Sequence, residues 1–594
     1  MARSGGFMLA VACLAVPVWS EPAGGHRVEA ESPKPKSDCR VVAIADEPDG
    51  QAVTSDRAWE PVFVTSDLGD WTGKAKVWVR HAGGPINLKA QTGSSQTELA
   101  WVWSAPDAMT WSAFGTFNRE QLGEGVVIIR SDKGSPMIDA VVFEAVGAGD
   151  GGGGGGHAVE QAAADAVSSS ELPTSIPDAQ APASNVSLFV DWPRTAGPIT
   201  RTHWAVNDYS VLRPALSGQP AFNDYVAEVD PPIIRIHWAN LADVWTDAAT
   251  RTWDAAEMKT RLDEAVGYGD AEIMFCINWW PKWLHEGKVL PAEKEAEFVR
   301  LCAELPGVLR DIGHPAAMIE VPNELEGHYE KAGKLPQLWD LYKRCVKAIR
   351  DADPEVQVGG PALTWPKPSW MNSFVEHGGL DYADFFTWHN YGLGEATDPN
   401  EQLFAAAEKL GNHAVEAMQT LADAGHPDMP GYLTEYNVSW TWTTRDARMG
   451  TNVGAVFQAL TVKNIATSGA SGAFVWHVQD NIYGLLNNDG TRRAPAELFT
   501  WASHLSGQMS PVVTEDAALI EGLAVRGDDG HQALLLLVKA DHAVQVHPNA
   551  TLEADQPWRT VEAIVPEGFD KPMWVPGQTN ALPGYSLLLL STRE

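Results

Sequence analysis

Two glutamates stand where chemistry is easiest to read. Glu324 closes the run Ile319-Glu320-Val321-Pro322-Asn323-Glu324, and Glu435 lies in Tyr432-Leu433-Thr434-Glu435-Tyr436-Asn437. A pair of carboxyl groups is what cleavage of a glycosidic bond requires. One stays protonated and serves the leaving oxygen, while the other is ionised and faces the anomeric carbon. Further apolar runs end in the same kind of residue: His237-Trp238, Asn278-Trp279-Trp280, His389-Asn390-Tyr391 and Trp476-His477. Packing alone does not explain apolar strands that end in Glu, His, Asn and Trp. Either glutamate taken alone is equally readable as a solvated loop residue. Glu320, inside its run, and Glu326 and Asp480, outside theirs, are the carboxylates that could be mistaken for the pair.

Eight strand-like apolar runs carry these residues: 199–206, 232–238, 272–279, 317–321, 356–361, 384–389, 432–436 and 473–478. Helix-period stretches separate them, for example 255–266, 292–309, 338–352 and 403–424. Alternation of this kind over residues 184–505 predicts a (β/α)8 TIM barrel, whose function sits at the C-terminal strand ends. Residues 506–594 return to β alternation and predict a C-terminal β-sandwich, which residues 184–198 are placed to join.

The rest of the chain is organised around a glycine run. Residues 149–183 are rich in Gly, Ala, Ser and Pro, cannot bury a core, and predict a flexible linker. Before it, residues 39–148 alternate in short runs such as Ala75–Arg80 and predict an N-terminal β-sandwich of jelly-roll-like form. Trp101, Trp103 and Trp111 make this region a candidate carbohydrate-binding module, with core aromatics in a spacer domain as the equal alternative. Residues 1–20 have the form of a secretory signal: Arg3, then an apolar stretch too short to span a bilayer. A secreted or periplasmic location follows as the expectation, with lipid anchoring at Cys13 as the lesser variant.

The net charge of −34, from 77 acidic and 43 basic residues, argues against nucleic acid or an anionic membrane as partner. No later stretch is apolar enough for a membrane span. Cys39, Cys276, Cys302 and Cys345 are widely spaced and suggest neither a disulfide scaffold nor a zinc site. No metal or cofactor is called for. The count of 25 Trp suits a carbohydrate partner, because a pyranose packs its flat C–H face on an aromatic ring.

Asn-Glu, His-x-Tyr and Thr-Glu, in order on strands four, six and seven, resemble the clan A glycoside hydrolases. Within that clan the chain is most similar to family 39, the β-xylosidase and α-L-iduronidase family. The likeness rests on Arg235-Ile236-His237, Val358–Ala362, Phe385–Tyr391, Leu433–Trp440 and Gly484–Asn487, followed by Asp489-Gly490 and Ala494-Pro495-Ala496. It covers the barrel and the tail. The resemblance implies a retaining glycoside hydrolase with Glu324 as acid/base and Glu435 as nucleophile. Asn323 would bond the sugar 2-hydroxyl, Arg235 and Tyr391 would hold Glu435 ionised and oriented, and Trp476 would floor the subsite at the cleaved bond. His237, Asn278, Trp279 and His389 would be further contacts to hydroxyls. It also implies carboxyl groups about 5–5.5 Å apart. A plant or algal polysaccharide, or its oligosaccharides, is the expected substrate class. Trp204, Trp238, Trp245 and Trp253 are read as shaping the pocket, which puts a plain xyloside in doubt. The alternatives are a secreted carbohydrate-binding protein without catalysis and a transglycosylase using the same residues.

Overall fold

The computed structural model describes strands and one short helix between residues 26 and 146. It then describes residues 183–594, apart from 209–219, 238–244, 265–269, 395, 442–445, 548–549 and 553. The expected signal segment 1–20 with Cys13, residues 149–182 of the expected linker, and Trp103 and Trp238 lie outside the described residues, as do the side chains of Trp101 and Trp111. The chain divides into two units, Met1–Ser168 and Ser169–Glu594.

The first unit holds two antiparallel sheets, the make-up of a β-sandwich. In one, Met137–Val146 is flanked by Lys74–Ala82 and by Gln51–Ser55. In the other, the strands run Pro61–Thr65, Gly125–Arg130, Ile86–Thr92, Ser95–Val102. Ala75, Val77 and Val79 are all buried, the period of two expected for a strand with one face on a core.

The second unit is built on a closed barrel of eight parallel strands. These are β1 (Ala205–Asp208), β2 (Ile233–His237), β3 (Glu272–Cys276), β4 (Met318–Glu320), β5 (Gln357–Leu363), β6 (Phe386–His389), β7 (Gly431–Tyr436) and β8 (Gly472–Val475). Their side chains are buried almost throughout, which is why the runs read as continuously apolar rather than alternating. Helices cover the outside. Leu335–Ala352 shows the expected stripe, burying Leu338, Trp339, Leu341, Tyr342, Cys345, Val346 and Ile349. Cys276, Cys302 and Cys345 are buried free thiols, and Cys302 hydrogen-bonds Cys345.

One expectation needs correction. The first barrel strand is 205–208 rather than 199–206. Thr200 and His203 bond each other's backbone and side chain in a capping box, and residues 201–204 wind into a 3-10 turn. Residues 184–199 join the C-terminal sandwich, the placement that 184–198 also allowed: Gly197–Ile199 pairs with Gly507–Ser510 at the edge of a six-stranded sheet. Ser184–Val186 pairs with Val544–Val546, and Leu188–Val190 with Val512–Thr514. The pieces are held together by the helix Asn452–Thr467, buried on nearly every side. Its Asn452 donates to the Tyr585 carbonyl, and its Lys463 pairs with Glu521 of the sandwich.

Candidate active site

The mouth is organised from its floor by Arg235 on β2, which has no solvent exposure. Buried arginine stays charged, so each of its donors needs an acceptor. Nε donates to Glu320 Oε2 at 2.8 Å, and Nη2 lies 2.6 Å from the same oxygen. Nη1 donates to Asn207 Oδ1 at 2.9 Å and to Glu435 Oε1 at 2.8 Å. Nη2 also donates to Asn323 Oδ1 at 2.8 Å. One side chain therefore fixes residues from β1, β4, the β4 end and β7. Asn323 is also oriented by it, because the guanidinium claims the carbonyl end of that amide.

Glu435 is buried at the end of β7 and has two donors. Arg235 holds Oε1, and the Tyr391 hydroxyl donates to Oε2 at 2.8 Å. Burial raises its carboxyl, as does Glu324, against the pull of His389, Arg235 and the Tyr391 hydrogen bond, and the net direction is upward. The expectation that Arg235 and Tyr391 simply hold Glu435 ionised is thus only part of the balance. Burial outweighs them, and Arg235 also serves Glu320 through Nε and Nη2. Burial would raise Glu320, but Arg235, His389 and hydrogen bonds from Arg235 and Thr387 bring it below the ordinary carboxylate range. Thr434 adds a hydroxyl to its other oxygen at 2.9 Å.

Glu324 lies across the mouth, its side chain a third exposed. Its φ of 52° is left-handed, a conformation that costs a non-glycine residue roughly 1 kcal/mol or more and clusters at functional sites. The bend is held by its N–H bond to the Ala362 carbonyl at 3.0 Å, while Asn323 N–H bonds the Asn278 carbonyl at 3.2 Å. Desolvation raises the Glu324 carboxyl to about 7, with Arg235 and Lys288 opposing and Glu320 adding. The two carboxyls differ in their neighbours: Glu435 touches the Arg235 guanidinium and Glu324 does not. Two carboxyls in one pocket with unlike environments are the arrangement that acid/base chemistry can use.

The remaining sequence candidates gather around this pair. His389 Nδ1 is 2.8 Å from Glu324 Oε1, and burial draws the imidazole down to about 4, so it sits there neutral. His237 Nε2 is 3.7 Å from Glu435 Oε1, beyond hydrogen-bond range, and its ring meets Trp476 edge-on at 5.0 Å. Trp279 donates its indole N–H to the Asn323 carbonyl at 3.1 Å. Asn278 is buried, and neither its amide nitrogen nor its oxygen has a hydrogen-bond partner among the described residues. Unmet buried polar atoms at a barrel mouth are places for ligand hydroxyls or water.

The lookalike carboxylates separate cleanly. Glu326 accepts the Thr364 N–H at 2.9 Å, and Asp480 accepts the N–H groups of Ile482, Tyr483 and Gly484, closing the loop after β8. The tryptophans divide as well. Trp204 bonds the Leu505 carbonyl, Trp245 packs on Phe275 and Trp253 bonds the Leu301 carbonyl. All three are core rather than pocket wall, which corrects their expected role. Pattern reading also passed over Asn207, Lys288 and the function of Glu320. Lys288 lies in the segment between β3 and the helix Ala292–Asp311, lays its ammonium on the Trp279 ring, and acts on Glu324. A lone lysine in a loop offers no sequence signal.

Glu324, His389 and Glu435 each present an atom within 4.8 Å of the others. The nearest carboxylate oxygens of Glu324 and Glu435 are therefore no more than 4.8 Å apart. A cation could bridge such a triad, but Arg235 already holds Glu435 Oε1, and a neighbouring guanidinium disfavours a second positive charge.

A closed (β/α)8 barrel with two unlike carboxyls facing across its mouth is the construction of the clan A glycoside hydrolases. Residues 318–478 match the profile described as Glycosyl hydrolases family 39, so the barrel is family-39-like. A β-xylosidase from Caldicellulosiruptor saccharolyticus is 27% identical over 236 residues, 36% of this chain and 46% of that protein, so the match spans about half of the relative's length. A family 39 β-xylosidase structure from Caulobacter crescentus superposes with TM-score 0.50 at 17% identity, covering 69% of this chain and 99% of the other. A family 51 α-L-arabinofuranosidase from Bifidobacterium longum gives 0.51 at 12% identity, covering 70% and 100%. At such identities the structures speak for the shared barrel fold.

Proposed function

We propose that this chain is a retaining glycoside hydrolase that cleaves O-glycosidic bonds of a plant or algal polysaccharide or its oligosaccharides. The observation that carries the reading is the close, unequal pair. Glu324 is a carboxyl pushed up to about 7, and Glu435 is a carboxyl in contact with Arg235 and Tyr391. In the first step Glu435 attacks the anomeric carbon while Glu324 protonates the departing oxygen. In the second, Glu324, now ionised, takes a proton from water, which displaces Glu435 and restores the original configuration. Asn323, held by Arg235, is set to bond the 2-hydroxyl, a contact that strengthens in the transition state. Trp476, edge-on to His237, would floor the subsite, and Asn278, His237 and His389 would supply polar edges. The names of the relatives, β-xylosidase and α-L-arabinofuranosidase, make pentosides the first substrates to try.

The test is a product screen on purified polysaccharides and aryl glycosides, with proton NMR reading the anomer first released. Turnover with retention supports the reading. Glycan binding without turnover across the whole screen would favour the carbohydrate-binding alternative, and oligosaccharide products longer than the substrate a transglycosylase.

The pH profile carries a signed prediction. Glu324 must be protonated in the first step, so kcat/KM is expected to fall as pH rises through about 7. Lys288 lowers the Glu324 carboxyl. Replacing it, Lys288→Met, should move the alkaline limb to higher pH with kcat at the optimum little changed. A limb that stays or moves down would show that Lys288 does not act on Glu324.

A further inference from the structure

The ladder between β6 and β7 does not stop at the barrel rim. Asn390 N–H bonds the Glu435 carbonyl at 3.0 Å, Gly392 N–H the Asn437 carbonyl at 3.0 Å, and Leu393 N–H the Val438 carbonyl at 2.7 Å. Leu393 then bridges Ser439 in parallel. Two glycines let the segments close. A Cβ on Gly392 would lie 2.7 Å from the Val438 carbonyl, and one on Gly394 would lie 3.1 Å from the Trp440 indole nitrogen. Val438 and Ser439 are buried, and the ridge ends on Trp440, which is 62% exposed. Among the residues whose side chains are described, no other tryptophan is exposed.

A single exposed apolar side chain is ordinary on a protein surface. Trp440 differs in its setting. It stands on a hydrogen-bonded ridge that starts at Glu435, five residues away and so within about 18 Å along the chain. Its indole edge lies close against Gly394, while most of the ring is open to solvent. An exposed indole on a ridge that leads from a pair of mouth carboxyls matches the C–H face of a sugar. We propose that Trp440 is the stacking platform of an outer sugar subsite, so that the chain engages glycans longer than the two rings flanking the cleaved bond. This rests on the glycosidase reading of the mouth and adds the substrate's length to it.

The experiment compares wild type, Trp440→Ala and Trp440→Tyr. Each is assayed on xylo-, cello-, manno- and agaro-oligosaccharides of increasing length and on the matching single-sugar nitrophenyl glycosides. For the longest oligosaccharide cleaved, kcat/KM should fall about five- to tenfold in Trp440→Ala, with Trp440→Tyr retaining most of it. Hydrolysis of the nitrophenyl glycoside, which cannot reach the ridge, should be unchanged. Equal losses on long and short substrates, or no loss on either, would overturn the proposal. If no substrate is turned over, the hydrolase reading fails separately. The subsite is then judged by titrating the Glu435→Gln protein, with and without Trp440→Ala, against the longest oligosaccharides by calorimetry. Binding lost with Trp440→Ala supports it; binding absent or indifferent to Trp440 overturns it.

Discussion

Glu435→Ala is expected to lower kcat on the order of 10^4-fold or more, because no neighbouring group can form the covalent bond it supplies. The loss should come with a chemical signature. Azide is small enough to enter the space that the carboxylate leaves, and it attacks the anomeric carbon from the same face. The product is a glycosyl azide of inverted configuration. Glu324→Ala should behave differently. Substrates with good leaving groups still form the glycosyl-enzyme, and azide then replaces water in the second step, so the glycosyl azide has retained configuration. Opposite configurations from the two variants assign the two roles. Undiminished hydrolysis by Glu435→Ala would remove Glu435 from the mechanism.

Arg235→Met is expected to give the largest loss of stability. The guanidinium is enclosed with Glu320, Glu435, Asn207 and Asn323, and its removal leaves a buried carboxylate without its cation. Breaking such a pair typically costs about 3–5 kcal/mol, readable as a lower urea midpoint at unchanged slope. The sign of the coupling is informative. Glu320→Gln removes the charge that Arg235 chiefly balances, so Arg235→Met with Glu320→Gln should recover part of the stability lost by Arg235→Met alone. Activity should not return, because Glu435 and Asn323 have still lost their common anchor. Additive losses would show that Glu320 and Arg235 are not a unit.

The candidate pair was legible because it lies at the ends of runs with a clear period. Glu324 and Glu435 follow apolar strands, and helices such as Leu335–Ala352 announce the intervals with an amphipathic stripe. What was hidden has one physical cause in each case. Glu320 reads as a strand interior, and only closure of the barrel turns that position toward Arg235 on β2, 85 residues earlier. Asn207 was masked by the misplaced first strand, since the Thr200–His203 capping box is a local signal that apolar counting ignores. The helix Asn452–Thr467 has almost no polar face because it is buried between barrel and sandwich, so periodicity cannot find it. Trp204, Trp245 and Trp253 looked like pocket wall because composition does not say which way a ring points.

The central claim is that Glu435 makes the covalent bond while Glu324 moves the proton. Its most direct test is incubation with 2-deoxy-2-fluoro glycosides bearing a good leaving group, which slow the second step and let the glycosyl-enzyme accumulate. Intact mass followed by peptide mapping should find one label, on Glu435. A label on Glu324, Glu320 or Glu326 would contradict the account.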